Sequence, residues 1–177
     1  IVGVAGGAAT TERAARFLPD VPVLDAVGAA TAAEVVVIAT PDAVIESVCE
    51  EMAKAGALET AGSVIHASGA TGLDALETAA SVGAATLSVH PLQTCPTVET
   101  AVERIPGASF AVTANDEAVY ELGERLARDA GGRPFRIADE RRPDKVHVPC
   151  RIDRHRRPIV RAAVEHPVVF ADADRRG

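Results

Sequence analysis

Glu34-Val35-Val36-Val37-Ile38-Ala39-Thr40-Pro41-Asp42 is the stretch on which the reading of this chain turns. Val35 to Ala39 is apolar at every position rather than at alternate ones, so both faces of the strand it predicts must be covered. That is the situation of a parallel sheet with helices on either side. Thr40-Pro41-Asp42 stops the strand, because proline has no N–H for a ladder. Beyond it Ala43, Val44, Val48, Met52 and Ala55 recur at helical spacing until Gly56. Asp42 stands where that helix begins and suits an N-cap.

The same alternation continues in both directions. Upstream, Ile1 to Ala5 reads as a strand, Thr10 or Thr11 as the cap of a helix ended by Pro19, and Val21 to Leu24 as a short strand before an Ala-rich helix. Downstream, the spacing predicts a strand over Ser63 to His66 and a helix over Gly69 to Ala80. A strand over Ala84 to Val89 ends at His90-Pro91, and a short helix covers Val98 to Arg104. Next come a strand over Ser109 to Thr113, a helix over Ala118 to Ala130 capped by Asn115 or Asp116, and a last strand over Pro134 to Ala138. The expectation is a three-layer α/β domain over residues 1–140 with a mostly parallel sheet.

Charge divides the chain at the same place. Residues 1–140 hold 8 Lys+Arg against 20 Asp+Glu, and residues 141–177 hold 10 against 5. An acidic body lacks the cationic face that phosphate backbones require, which argues against nucleic acid as a partner. No apolar run has the roughly 20 residues of a membrane helix and no signal peptide opens the chain, so a cytoplasmic protein is expected. Cys49, Cys95 and Cys150 are odd in number and far apart, which suggests neither a disulfide framework nor a zinc cluster. Residues 141–177 hold neither period 2 nor period 3.6. Their Arg, Pro, His and Asp bias predicts a basic irregular tail and matches GC-rich coding sequence translated out of frame.

In an open parallel sheet ligands bind beyond the carboxyl ends of the strands, where helix N-termini converge. The candidate groups are therefore Ala5-Gly6-Gly7, Thr40-Pro41-Asp42, His66-Ala67-Ser68-Gly69 and His90-Pro91-Leu92-Gln93-Thr94. Each has a plainer role: Asp42 and Ser68 as helix caps, His66 as a hydrogen-bonded core residue. His90, beside a Pro-fixed turn, carries the side chain best suited to proton transfer at neutral pH. The expectation is that these groups line one rim.

Ala39-Thr40-Pro41-Asp42, Ile65-His66-Ala67-Ser68-Gly69-Ala70-Thr71-Gly72, Val89-His90-Pro91-Leu92-Gln93-Thr94 and Pro106-Gly107-Ala108-Ser109-Phe110-Ala111-Val112, in that order and spacing, resemble one known family. It is the group of Rossmann-like oxidoreductases whose NAD(P)-binding domain precedes a helical domain of unknown function, related to 6-phosphogluconate dehydrogenase and pyrroline-carboxylate reductase. The resemblance covers roughly residues 1 to 143. It implies NADP or NAD as cofactor, redox chemistry on a small substrate, and a homodimer in the full-length form. It further implies that Thr40, Pro41 and Asp42 lie by the cofactor's ribose and nicotinamide, with His66 on the same cofactor-binding rim. Ser68 and His90 border the reacting centre as catalytic candidates, and the Gly6-Gly7 turn approaches the adenine ribose.

The chain departs from that pattern at both ends. No G-x-G-x-x-G turn is present, and Gly3 and Gly6-Gly7 do not replace it, because the helix after them is expected to start only near Thr10 and the spacing is wrong. The fold is thus expected to be incomplete, with its first strand and glycine-rich loop absent. In the usual strand order that first strand is central. Leaving its place empty exposes about six apolar side chains, on the order of 10 kcal/mol, and two open edges, which predicts a marginal, aggregation-prone polypeptide. After Glu140-Arg141-Arg142-Pro143 the family's apolar helices do not follow.

Other classes compete. A non-catalytic nucleotide-sensing module shares every feature except turnover. A hydrolase built on Ser68 lacks the G-x-S-x-G elbow, and a metal site from His66, His90 and Cys95 matches no familiar ligand spacing.

Overall fold

The computed structural model describes residues 1–139 and the backbone of residues 168–172. Its strands are β1 (Gly3–Gly6), β2 (Val23–Leu24), β3 (Val35–Ile38), β4 (Ser63–His66), β5 (Ala85–Pro91), β6 (Ser109–Ala114), β7 (Arg133–Arg136) and β8 (Val168–Asp172). Its helices are α1 (Ala8–Phe17), α2 (Ala26–Thr31), α3 (Ile45–Lys54), α4 (Glu77–Ser81), α5 (Val98–Arg104) and α6 (Glu117–Asp129). The strands form one sheet in the order β2-β1-β8-β3-β4-β5-β6-β7. All neighbours pair in parallel except β5 and β6.

Successive side chains of a strand face opposite sides of its sheet, and the core divides accordingly. Val36, Ile38 and Val64 pack with Ala29, Ala30, Ile45, Met52 and Leu76 from α2, α3 and the segment before α4. Val35, Ile65 and Leu87 pack on the other face with Val119 and with the part-buried Tyr120, Leu122 and Leu126 of α6. Helices thus cover both faces of β3 and β4, as the unbroken apolar run at 35–39 requires. Ile38 and Leu87 are wholly buried, each stabilising the fold by about 1.5–3 kcal/mol.

Helix ends follow side-chain chemistry. Asp25 caps α2 through Gly28 N–H at 2.6 Å, Thr97 caps α5 through Thr100 N–H at 3.2 Å, and Asp116 caps α6 through Val119 N–H at 3.0 Å. Gly56, at φ 74°, takes the left-handed conformation that ends α3.

Several expectations need correction. α1 begins at Ala8 behind Gly7 as N-cap, and no side chain caps it. Thr10 and Thr11 lie within its first turn, where Thr11 Oγ1 donates to the Gly7 carbonyl. Asp42 is an exposed residue in a 3-10 turn over Asp42–Val44, and Pro41 occupies the N-cap position. The helix expected from Gly69 starts only with a 3-10 turn at Leu73–Leu76 that runs into α4, because Gly69 to Gly72 form a turn.

The largest correction concerns the centre of the sheet. The place expected to stand empty between β1 and β3 is taken by β8, from the segment read as irregular. Gly3 to Gly6 pair with Val169 to Asp172, and Val35 to Ile38 pair with Val168 to Ala171. The two edges expected to be open are therefore paired. Residues 140–167 and 173–177, which include Cys150 and the rest of the basic tail, lie outside the described residues.

Candidate functional site

Register places the candidate groups on one rim. Ala5 is level with Ala171, Ala171 with Ile38, Ile38 with His66 and His66 with Ser88, and all five strands run the same way. Gly6-Gly7, Thr40-Pro41-Asp42 and Ala67-Ser68-Gly69 therefore stand at the carboxyl edge of the sheet, level with His90-Pro91, where β5 runs on past β4 paired with β6. Chain direction also reverses here: it runs outward from β1 to β2, then crosses back to β3 and proceeds to β4 and β5. Such a switch point opens a crevice between loops that diverge to opposite sides.

On the β1 side, Gly6 and Gly7 bring no side chain, and α1 starts immediately after them. Helix N-termini carry unsatisfied N–H groups and a partial positive charge, and this one has no acidic residue in its first turn to neutralise it. Across β8, Thr40 is buried at 8% exposure, and its Oγ1 has no hydrogen-bond partner among the described residues. Neither Pro41 nor Asp42 is buried. His66 is wholly enclosed in the sheet one level below the rim.

The β4 and β5 loops are locked to each other. Ser68 Oγ accepts from Ala70 N–H at 3.1 Å and Thr71 N–H at 3.0 Å and donates to Thr71 Oγ1 at 2.9 Å, so its hydroxyl shapes a tight turn. The Ser68 carbonyl accepts from Ser88 Oγ at 3.2 Å. His90 Nδ1 lies 2.8 Å from the Ala67 carbonyl oxygen. A carbonyl only accepts, so Nδ1 carries the proton and Nε2 of the neutral ring is left with its lone pair. The ring sits against Gly69 so closely that a Cβ there would lie 2.5 Å from Nε2 and 2.7 Å from Cδ2.

Sequence reading missed the latch behind this turn. Asp139 accepts from Leu73 N–H at 3.1 and 3.3 Å through its two oxygens, across 66 positions of sequence. Among the described residues no group of three His, Cys, Asp or Glu side chains is placed to hold a metal ion, and no helix is long and apolar enough to cross a membrane.

A mostly parallel sheet wrapped on both faces, with polar residues gathered at the carboxyl edge of its switch point, defines a Rossmann-type α/β domain. The chain belongs to the Rossmann-like domain family, whose model matches residues 1–91. No curated protein sequence matches it. Among solved structures it is similar to pyrroline-5-carboxylate reductase from Coxiella burnetii, with TM-score 0.59 and 22% identity over 78% of this chain and 49% of that one. It is also similar to prephenate dehydrogenase from A. aeolicus in complex with hydroxyphenyl propionate and NAD+, with TM-score 0.61 and 14% identity over 79% and 61%. A third is Plasmodium falciparum pyrroline carboxylate reductase with NADP bound, with TM-score 0.56 and 13% identity over 79% and 58%. The chain spans about half the length of the first of these structures.

The rim fits a nucleotide at two points: the N-terminus of α1 behind Gly7, which suits a hydroxyl or anionic oxygen, and the enclosed Thr40 hydroxyl. The sequence nowhere supplies the G-x-G-x-x-G turn that grips a pyrophosphate in such folds.

Proposed function

We propose that this chain is the dinucleotide-binding module of an NAD(P)-dependent oxidoreductase, working in the cytoplasm on a small substrate. The observation that carries the reading is the shared rim, with Gly6-Gly7 and Thr40 on one stretch and His90 on the other. Nicotinamide dinucleotides, when bound, supply the hydride acceptor or donor. The rest is the protein's task. Gly6, Gly7 and the α1 N-terminus take the adenosine end, while Thr40, with Pro41 and Asp42 next to it in the chain, receives the ribose and nicotinamide end; His66, expected on this rim, is too enclosed to touch the cofactor directly.

His90 handles the proton. With Nδ1–H held by Ala67, Nε2 accepts the proton of a substrate hydroxyl as its carbon gives up a hydride. In the reverse direction the protonated ring returns it to a carbonyl or imine. Ser68 acts on this site by holding the turn that presents the Ala67 carbonyl and Gly69 to the ring. The chain spans only part of its structural neighbours, and this favours a second reading: nucleotide binding without turnover in this polypeptide, with a dimeric full-length enzyme completing the substrate site.

The test is a titration with NADPH and NADH followed by nicotinamide fluorescence, in the wild type and in Thr40→Val. The substitution removes a hydroxyl with no hydrogen-bond partner among the described residues, so the free protein should be as stable as the wild type or more so. Losing one hydrogen bond to the ligand should weaken binding about tenfold. Equal affinity in the two proteins removes Thr40 from the site, and no binding by the wild type rejects the reading.

A further inference from the structure

Among the described residues, the sheet consists of two parts that pair with each other only through β8. β1 and β2 form one ladder, β3 to β7 another, and β8 lies between β1 and β3. Neighbouring strands stand about 4.8 Å apart, so β1 and β3 are separated by about 10 Å, beyond any backbone hydrogen bond between them. Further links are α2, which packs on β1 and on α3, and an exposed ion pair between Arg16 of α1 and Glu99 of α5. The ion pair is worth little in water, and α2 buries only Ala29 and Ala30 fully, with Ala26 and Val27 part-buried beside them, a small area with which to hold the two parts together.

The two sides of the crevice belong to different parts. Gly6 ends β1 and Gly7 follows it, whereas Thr40, Ser68 and His90 follow or lie on β3, β4 and β5. We infer that β8 is the keystone of the crevice: docking of Val168–Asp172 between β1 and β3 sets the Gly6-Gly7 side of the rim against the Thr40 side. Undocking separates them while β3 to β7 stay assembled. This makes nucleotide binding conditional on a strand contributed by the far end of the chain, a means of control that rests on the dinucleotide reading above. The division of the sheet does not depend on that reading.

The experiment is amide hydrogen exchange on the full chain carrying Val169→Pro together with Phe170→Pro. Successive N–H groups of a strand point to opposite neighbours, so the pair removes one ladder donor toward β1 and one toward β3. Protection of residues 3–6 and 23–24 should fall at least about 100-fold, while residues 63–66, 85–91 and 109–114 stay within about threefold of wild type. NADPH affinity should fall with the first group. Unchanged protection at 3–6 overturns the inference, and so does equal loss in every strand, since the sheet then does not divide at β8. If the variant shows the expected exchange pattern and the wild type binds no NADPH, the keystone stands and the dinucleotide reading fails.

Discussion

His90 Nδ1 is held 2.8 Å from the carbonyl oxygen of Ala67, which ties the end of β5 to the turn after β4 and fixes the proton on one ring nitrogen. Long-range proton–nitrogen NMR of uniformly labelled protein should therefore show the neutral His90 ring with Nδ1 protonated and Nε2 bare. A ring dominated by the Nε2–H tautomer contradicts the assignment, because two acceptors would then face each other.

Gly69 is required by that ring. A methyl at this position overlaps His90 Nε2 and Cδ2, and the ring is pinned on its other side by the Ala67 carbonyl. Gly69→Ala should cost about 1–3 kcal/mol in a urea melt and shift the His90 ring resonances. Stability and resonances equal to wild type would show that the loop relaxes freely.

Asp139 satisfies the first N–H of the 3-10 turn at Leu73–Leu76, as a capping side chain would. Asp139→Ala should destabilise the protein by about 1 kcal/mol and raise amide exchange at Leu73. Slow exchange at Leu73 in the variant would show that another acceptor takes over.

Arg136 donates to both oxygens of Glu117 at 2.7 Å and to Glu124 at 2.7 Å, and stacks over Tyr120. Its hydrogen bonds hold both carboxyls below their ordinary pKa. A carboxyl depressed in the folded state stabilises fully above its unfolded pKa of about 4.3 and loses that contribution as pH falls through the lowered folded value. Arg136→Gln should thus be less stable than wild type at neutral pH, by a small margin because the groups are exposed, and the gap should close in acid. A gap that persists in acid assigns the effect to packing on Tyr120.

How much of this was legible in the sequence follows from the range of each signal. The unbroken run at Val35–Ala39 announced a doubly covered strand, and Pro41 and Pro91 marked strand ends. Rim positions could then be inferred from parallel pairing alone. The N-cap of α1 misled, since Thr10 and Thr11 cap a helix about as well as Gly7 by local preference and offer a side-chain oxygen, yet the chain turns into the helix directly off β1. β8 was hidden because a four-residue apolar run amid Arg, Pro and Asp carries no period of its own, and its place in the sheet is set by β1 and β3, more than 130 positions away. The Asp139–Leu73 latch and the Arg136 cluster join residues 12 to 66 positions apart. Only tertiary structure brings these together, and composition is silent on them.

The claim on which the account rests is that Gly6-Gly7, Thr40, Gly69 and His90 border one nucleotide crevice. The most direct measurement is a backbone amide NMR titration of the labelled chain with NADPH and, separately, NADH. The account predicts saturable shifts concentrated at Gly6, Gly7, Thr40, Gly69 and His90, with α6 unaffected. Shifts confined to the other edge of the sheet, or none with either nucleotide, would contradict it.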